Sequence, residues 1–218
     1  MSHHPLQDSI NAFQESFIQS VPEDTMAIIM AEHQTLMESG IAEKATREGN
    51  PFPSFNLPDA KGESRTLKEL VSSGPLVISF YRGAWCPYCN LEIKALQDSL
   101  AEIEATGAQL IAITPQTPDK SKDQITAAKL TFDVLSDIGN ELARQCGLVF
   151  TLPERLRPVY DAWQLDIPGH NDDDSFELPM PATYIVDGNG IIRYSYINMD
   201  YTRRVEPNII IEQLKSLC

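Results

Sequence analysis

Two cysteines separated by Pro and Tyr, in Trp85-Cys86-Pro87-Tyr88-Cys89-Asn90, hold the clearest chemistry in this chain of 218 residues. Such a pair suits a metal knuckle, an inert buried contact or a thiol–disulfide cycle. A structural zinc site needs four ligands, usually from two such pairs. Cys146 and Cys218, the other cysteines, form no second pair, so no metal or other cofactor is expected. An inert pair gives no reason for proline beside a helix-start cysteine. The redox reading does. Cys86 is predicted at a helix N-cap, where unpaired N–H groups and the helix dipole stabilise a thiolate. There a cysteine pKa falls to roughly 3.5–7.5. Pro87 suits the first helical position, and Cys89 lies one turn further in. Cys86 is thus the candidate nucleophile toward a peroxide or a disulfide. Cys89 is the candidate resolver of the sulfenic acid or mixed disulfide that forms. Trp85 and Tyr88 would border the sulfur with apolar surface. Arg82 would either add positive charge or lie solvated.

These residues need a strand that delivers them and a helix that carries them away. "PLVISF" is a continuous, β-branched apolar run, as expected of a buried central strand. After Cys86 the period changes: Ile93, Leu96, Leu100 and Ile103 predict one amphipathic helix. "AQLIAIT" predicts a parallel strand, "PDKSKDQITAAKL" a helix, "TFDVLS" a strand and "GNELARQCGL" a helix closed by Gly147. "ATYIVDGNGIIRYSYI" reads as a hairpin turning at Asp187–Gly190, and "EPNIIIEQLKSL" as a last helix with Pro207 in its first turn. This order is that of a thioredoxin-like α/β fold, a central mixed sheet flanked by helices. Residues 1–50 predict a helical arm, with Ile10, Phe13 and Phe17 on one stripe and Met26, Met30, His33 and Met37 on another; residues 51–218 form the redox domain. The segment 151–179 reads as a long, proline-punctuated insertion. A buried, inert Cys146, a fraying Cys218 and a packed His33 complete the expectations.

The net charge is −14, which repels nucleic acid and anionic membrane alike. No apolar run is long enough to span a bilayer. The N-terminus lacks a basic flank and an apolar core, so no signal peptide and a cytoplasmic location are expected. His3 and His4 are thin evidence of a tag.

The stretches "FYRGAWCPYCN", "AITPQTPDKS", "LSDIGN", "LVFTLPERLRPVY", "PATYIVDGNGIIRYSYIN" and "DYTRR" resemble the peroxiredoxin-like branch of the alkyl hydroperoxide reductase and thiol-specific antioxidant superfamily, from about Pro53 onward. The resemblance implies peroxide or disulfide substrates, a thiol reductant of the thioredoxin or glutathione type, and a homodimer. In thioredoxin-like folds a cis-proline facing the dithiol occupies the place of Pro181, just before the first hairpin strand, and leaves the Met180 backbone free to pair with an extended substrate, so that Trp85, Tyr88, Met180 and Pro181 would form a substrate groove; the alternative is an ordinary proline at a strand entry. Two departures stand out. Gly83 occupies the place of the family's peroxide-orienting threonine, and Pro181 that of its arginine, leaving Arg82, Arg203 and Arg204 as replacements. The Pro-Tyr dipeptide is similar to that of dithiol glutaredoxins. Ser79 stands where thioredoxins bury an aspartate; Glu92, three residues past Cys89, is the alternative proton carrier, unless it is a solvated first-turn acid. Peroxide reduction and disulfide exchange are equally weighted enzyme readings. The alternative from another class is a redox-sensing interaction protein, which oxidises once instead of turning over.

Overall fold

The computed structural model describes residues 5–217; the expectations for His3, His4 and Cys218 lie outside them. A five-stranded sheet runs, in spatial order, Asp133–Ser136, Gln109–Thr114, Leu76–Phe80, Ala182–Val186, Ile192–Ile197. The central strand pairs in parallel with Gln109–Thr114 and antiparallel with Ala182–Val186, so the sheet is mixed and thioredoxin-like. All five residues of Leu76–Phe80 are buried, as a strand covered on both faces requires.

Side-chain alternation along this strand divides the interior in two. Leu76, Ile78 and Phe80 join one core with Phe52, Leu135 and Tyr184. Val77 and Tyr81 point the other way, into a core containing Cys86, Cys89, Ile93 and Leu96. That second face is covered by the dithiol helix Pro87–Asp98, the C-terminal helix Pro207–Ser216 and the first arm helix Pro5–Ser20. Leu6 and Ile10 are buried there, so the arm packs onto its own redox domain. Its first turn is capped from far away: the Glu206 carboxylate accepts from the N–H groups of Leu6 and Gln7, at 3.2 and 2.8 Å.

Two expectations need correction. The helix predicted through Ile103 breaks at Ser99 into Pro87–Asp98 and Leu100–Glu104, with the Ser99 N–H shared between Ala95 and Leu96 carbonyls. In the second arm helix, Glu23–Met37, the methionine stripe faces out: Met30 is 66% and Met37 42% exposed. The core instead receives Ile29 and Leu36, which share a face with His33 one residue around the helix. The insertion carries secondary structure of its own. Val149–Thr151 pairs antiparallel with Glu177–Pro179, closing its base, and two short helices, Arg157–Ala162 and Ile167–Asn171, lie within it. The arm and the insertion meet where the Arg155 guanidinium pairs with Glu32 at 3.0 Å and the Phe17 ring meets Trp163 edge-on at 5.3 Å.

Candidate active site

The central strand ends at Phe80, and six residues later Cys86 occupies the N-cap of the dithiol helix, with Pro87 beginning it. The intervening loop is held by a polar network. The Gln116 carboxamide oxygen accepts from the Ala84 N–H at 2.8 Å and contacts His170 Nδ1 at 3.0 Å. The Asn90 amide donates to the Ala84 carbonyl, and Gln124 links Asn90 to the Tyr81 hydroxyl. The loop is therefore fixed on both sides before it reaches the sulfur.

Cys86 and Cys89 are both free thiols, fully buried. Arg82 Nη2 donates to the Cys86 sulfur at 2.9 Å, and only 3% of Arg82 is exposed, so Arg82 is no solvated arginine. Its guanidinium stacks on the Tyr201 ring at 4.2 Å and lies 5.3 Å from Trp85. Burial opposes ionisation of Cys86, but the hydrogen bond from Cys89 and the charges of Arg82 and Arg204 outweigh it, bringing the thiol down to about 5. Cys89 moves the opposite way: burial and the neighbouring Cys86 charge hold it well above the usual thiol range. The pair is thus split into a thiolate and a protonated thiol, the asymmetry a nucleophile and a resolver require.

Behind Cys89 lies an ion pair that spacing along the sequence does not reveal. Arg204 Nε donates to Glu92 Oε2 at 2.7 Å, its Nη1 donates to the Tyr201 carbonyl, and its Nη2 reaches the Cys89 sulfur at 3.7 Å. Both side chains are buried. Glu92 is therefore neither solvated nor in the first turn, standing sixth in the helix; burial, against the opposing pull of Arg204, raises its carboxyl to about 7. Arg203, by contrast, pairs with Asp200 at the surface. Ser79 is buried on the central strand, and its hydroxyl has no partner among the described residues.

Beside the dithiol loop, Arg82, Trp85, Pro87 and Tyr88 line an apolar pocket closed by Phe13 and Phe17 of the arm and Tyr160 and Trp163 of the insertion. Its free volume is about 70 Å³. The other half of the expected groove is not there. Met180 is fully buried in the opposite core, and its N–H donates to the Leu148 carbonyl at 2.8 Å. No described peptide bond is cis, the one before Pro181 included. The ribbon at the base of the insertion accounts for this: strand Val149–Thr151 occupies the edge an extended substrate would need. Cys146 is buried, and that burial pushes its thiol up to about 12. His33 packs against Tyr201 at 5.2 Å.

The chain belongs to the AhpC/TSA family, whose model matches residues 49–195. It is 28% identical over 151 residues to a putative chloroplastic peroxiredoxin Q of Oryza sativa subsp. indica, covering 69% of this chain and 59% of that protein. Its span is thus less than two thirds of that relative's length. A putative peroxiredoxin of Mycobacterium tuberculosis is 30% identical over 113 residues, 52% of this chain and 73% of its own. Among solved structures, a peroxidoxin from Mycobacterium tuberculosis superposes with a TM-score of 0.63 at 21% identity, over 79% of this chain and 99% of that one. Peroxiredoxin Q from Xanthomonas campestris gives 0.58 at 16%, over 74% and 90%. These superpositions bear out the thioredoxin-like fold. The family match includes Arg82, both cysteines and Glu92, and ends before Arg204.

Proposed function

We propose that this chain is a thiol-dependent peroxidase in which Cys86 reduces a hydroperoxide and Cys89 resolves it. The observation that carries the reading is a pair of unpartnered donors beside the thiolate: Arg82 Nε and Trp85 Nε1 are both buried without a hydrogen-bond partner among the described residues. A buried N–H left unpaired costs about 1–3 kcal/mol, and two such groups within one cluster favour an oxygen-bearing ligand there. They stand in for the missing threonine and arginine. Arg82 also holds the thiolate, and the Trp85 indole fills the space over Gly83 where a threonine side chain would project.

In this cycle the Cys86 thiolate attacks the terminal peroxide oxygen, the O–O bond breaks, and the leaving alkoxide takes a proton to become an alcohol. Cys86 becomes a sulfenic acid. Cys89 then displaces hydroxide, which leaves as water, and the disulfide is reopened by an external dithiol that is itself oxidised. Disulfide exchange with an extended protein substrate is the weaker reading, because the Met180 edge is already paired with Leu148. The compartment that fits is the cytoplasm, where thiol reductants stay reduced.

The test is rapid mixing of the reduced protein with hydrogen peroxide, cumene hydroperoxide or a peptide disulfide, read by Trp85 fluorescence. Fast, saturable oxidation by a hydroperoxide, lost in Cys86→Ser, is expected. Rapid reaction with the peptide disulfide beside sluggish peroxide oxidation would overturn the reading.

A further inference from the structure

We propose that Glu92 and Arg204 form the proton-transfer pair of the resolving thiol: Glu92 takes the Cys89 proton as the disulfide closes and returns it as the disulfide opens, while Arg204 steadies the sulfur's charge. This rests on the dithiol cycle proposed above.

The geometry comes first. Cys89 is fully buried, so its proton has no direct route to bulk water. The strand behind it supplies no acid, since Ser79 is the residue there. Among the described residues, Arg204 alone touches both the Cys89 sulfur and a carboxylate. A buried ion pair is a poor device for stability, since well-packed apolar residues of similar volume commonly do as well or better. Its placement against a reacting sulfur gives it a different use. The groups that face Glu92 are Arg204, from the segment before the C-terminal helix, and Cys89, on its own helix. Cys89 in turn faces Cys86, Arg82 and Tyr81. Within that set Glu92 is the carboxylate, and burial places its titration near neutrality, where an acid–base group works best.

The steps balance. On closure, the Cys89 S–H bond breaks and its proton passes to the Glu92 carboxylate. The Cys89 thiolate forms the S–S bond to Cys86 as the bond from Cys86 to its leaving group breaks. On reduction, an external thiolate attacks Cys86, the S–S bond breaks toward Cys89, and the departing Cys89 thiolate recovers the proton from Glu92. Arg204 stays cationic throughout and compensates whichever of the two groups is charged.

Ellman's reagent, an aryl disulfide, tests this without any assumption about the physiological electrophile. Cys86 attacks it and releases one aryl thiolate; Cys89 then closes the disulfide and releases a second, so stopped-flow absorbance resolves the two phases. In the wild type the second phase should accelerate with pH through an inflection near 7. In Glu92→Gln it should slow, relative to that variant's own first phase, on the order of tenfold or more, and its inflection should move upward, toward the raised range of Cys89 itself. Arg204→Met should move the inflection upward, because Glu92 loses its counter-charge. A Glu92→Gln protein with the wild-type ratio of phases and the wild-type inflection would overturn the proposal. The double replacement Glu92→Met with Arg204→Leu substitutes apolar bulk for the ion pair and guards against a folding defect; a wild-type second phase there overturns it equally. A wild type that releases a single aryl thiolate would instead defeat the dithiol cycle itself, and this inference with it.

Discussion

Gly83 and Trp85 exclude one another's alternatives: a Cβ built on Gly83 would lie 2.5 Å from Trp85 Nε1 and 2.8 Å from its Cδ1. Gly83 also sits at φ +149, outside what side-chain-bearing residues readily adopt. Restoring the family's threonine at this place should therefore damage the site. Gly83→Thr is expected to lose about 1–3 kcal/mol in urea unfolding, the usual cost of overpacking, and to slow Cys86 oxidation. A variant as stable as wild type with faster peroxide turnover would show that Trp85 does not fill the threonine's role.

Arg82 should govern how far Cys86 is ionised. With the thiol near 5, alkylation by iodoacetamide should be almost independent of pH between about 6 and 8. Removing the hydrogen bond and the charge in Arg82→Met should restore a rise with pH in that window. At about pH 7 the rate should fall on the order of tenfold or more, since an ordinary thiol is only a few per cent ionised there. Cys146, held up near 12 by burial, should stay unlabelled in both proteins.

Stability should follow pH with opposite signs at two groups. Cys86 has a folded pKa depressed from 9.0 to about 5, so its contribution is complete above about 9 and drains away as pH falls toward 5. The advantage of the reduced wild type over Cys86→Ser should thus widen from about pH 5 to 8.5 in denaturant unfolding under reductant. Glu92 is raised from 4.5 to about 7, so its contribution is complete below about 4.5 and lost as pH rises through 7. Glu92→Gln should lack that loss. Parallel pH profiles for the wild type and Cys86→Ser would contradict the thiolate assignment.

Glu206 should control the arm. Because its carboxylate caps the N–H groups of Leu6 and Gln7, Glu206→Ala should cost about 1 kcal/mol, as loss of a helix cap does. Hydrogen exchange should quicken first in Pro5–Ser20, before the sheet. Uniform loss of protection across the sheet would assign Glu206 to the core rather than to the arm.

The legible part of the site was its local part. Cys86, Cys89, Pro87 and Arg82 lie within eight consecutive residues at a strand-to-helix junction, and apolar runs with their period changes mark that junction. Glu92 lay in view too, three residues past Cys89 and so on the same helical face, but a carboxylate near a helix start ordinarily reads as solvated. Only its partner shows otherwise, and Arg204 is 115 residues from Cys89, beyond any periodic signal. The same holds for Met180. Its position before a strand suggested a free edge, and the strand that occupies that edge is made by residues about thirty positions earlier. The second arm helix was misread for a chemical reason: methionine counts as apolar in a stripe, yet Ile29 and Leu36 fill the core-facing side and leave Met30 and Met37 outside.

Arg204 and Glu206 lie two residues apart, after the last strand of the sheet, one against the Cys89 sulfur and the other on the first turn of the arm. On the ribosome, where synthesis runs from the N-terminus, this fixes an order of events. A nascent chain has made the arm, both cysteines and the whole sheet before Arg204 and Glu206 exist. Until they emerge, the arm has no anchor at its first turn, and the dithiol lacks the cation behind its second sulfur. The tuned thiol pair is thus completed only after the last strand of the sheet, Ile192–Ile197, has been made.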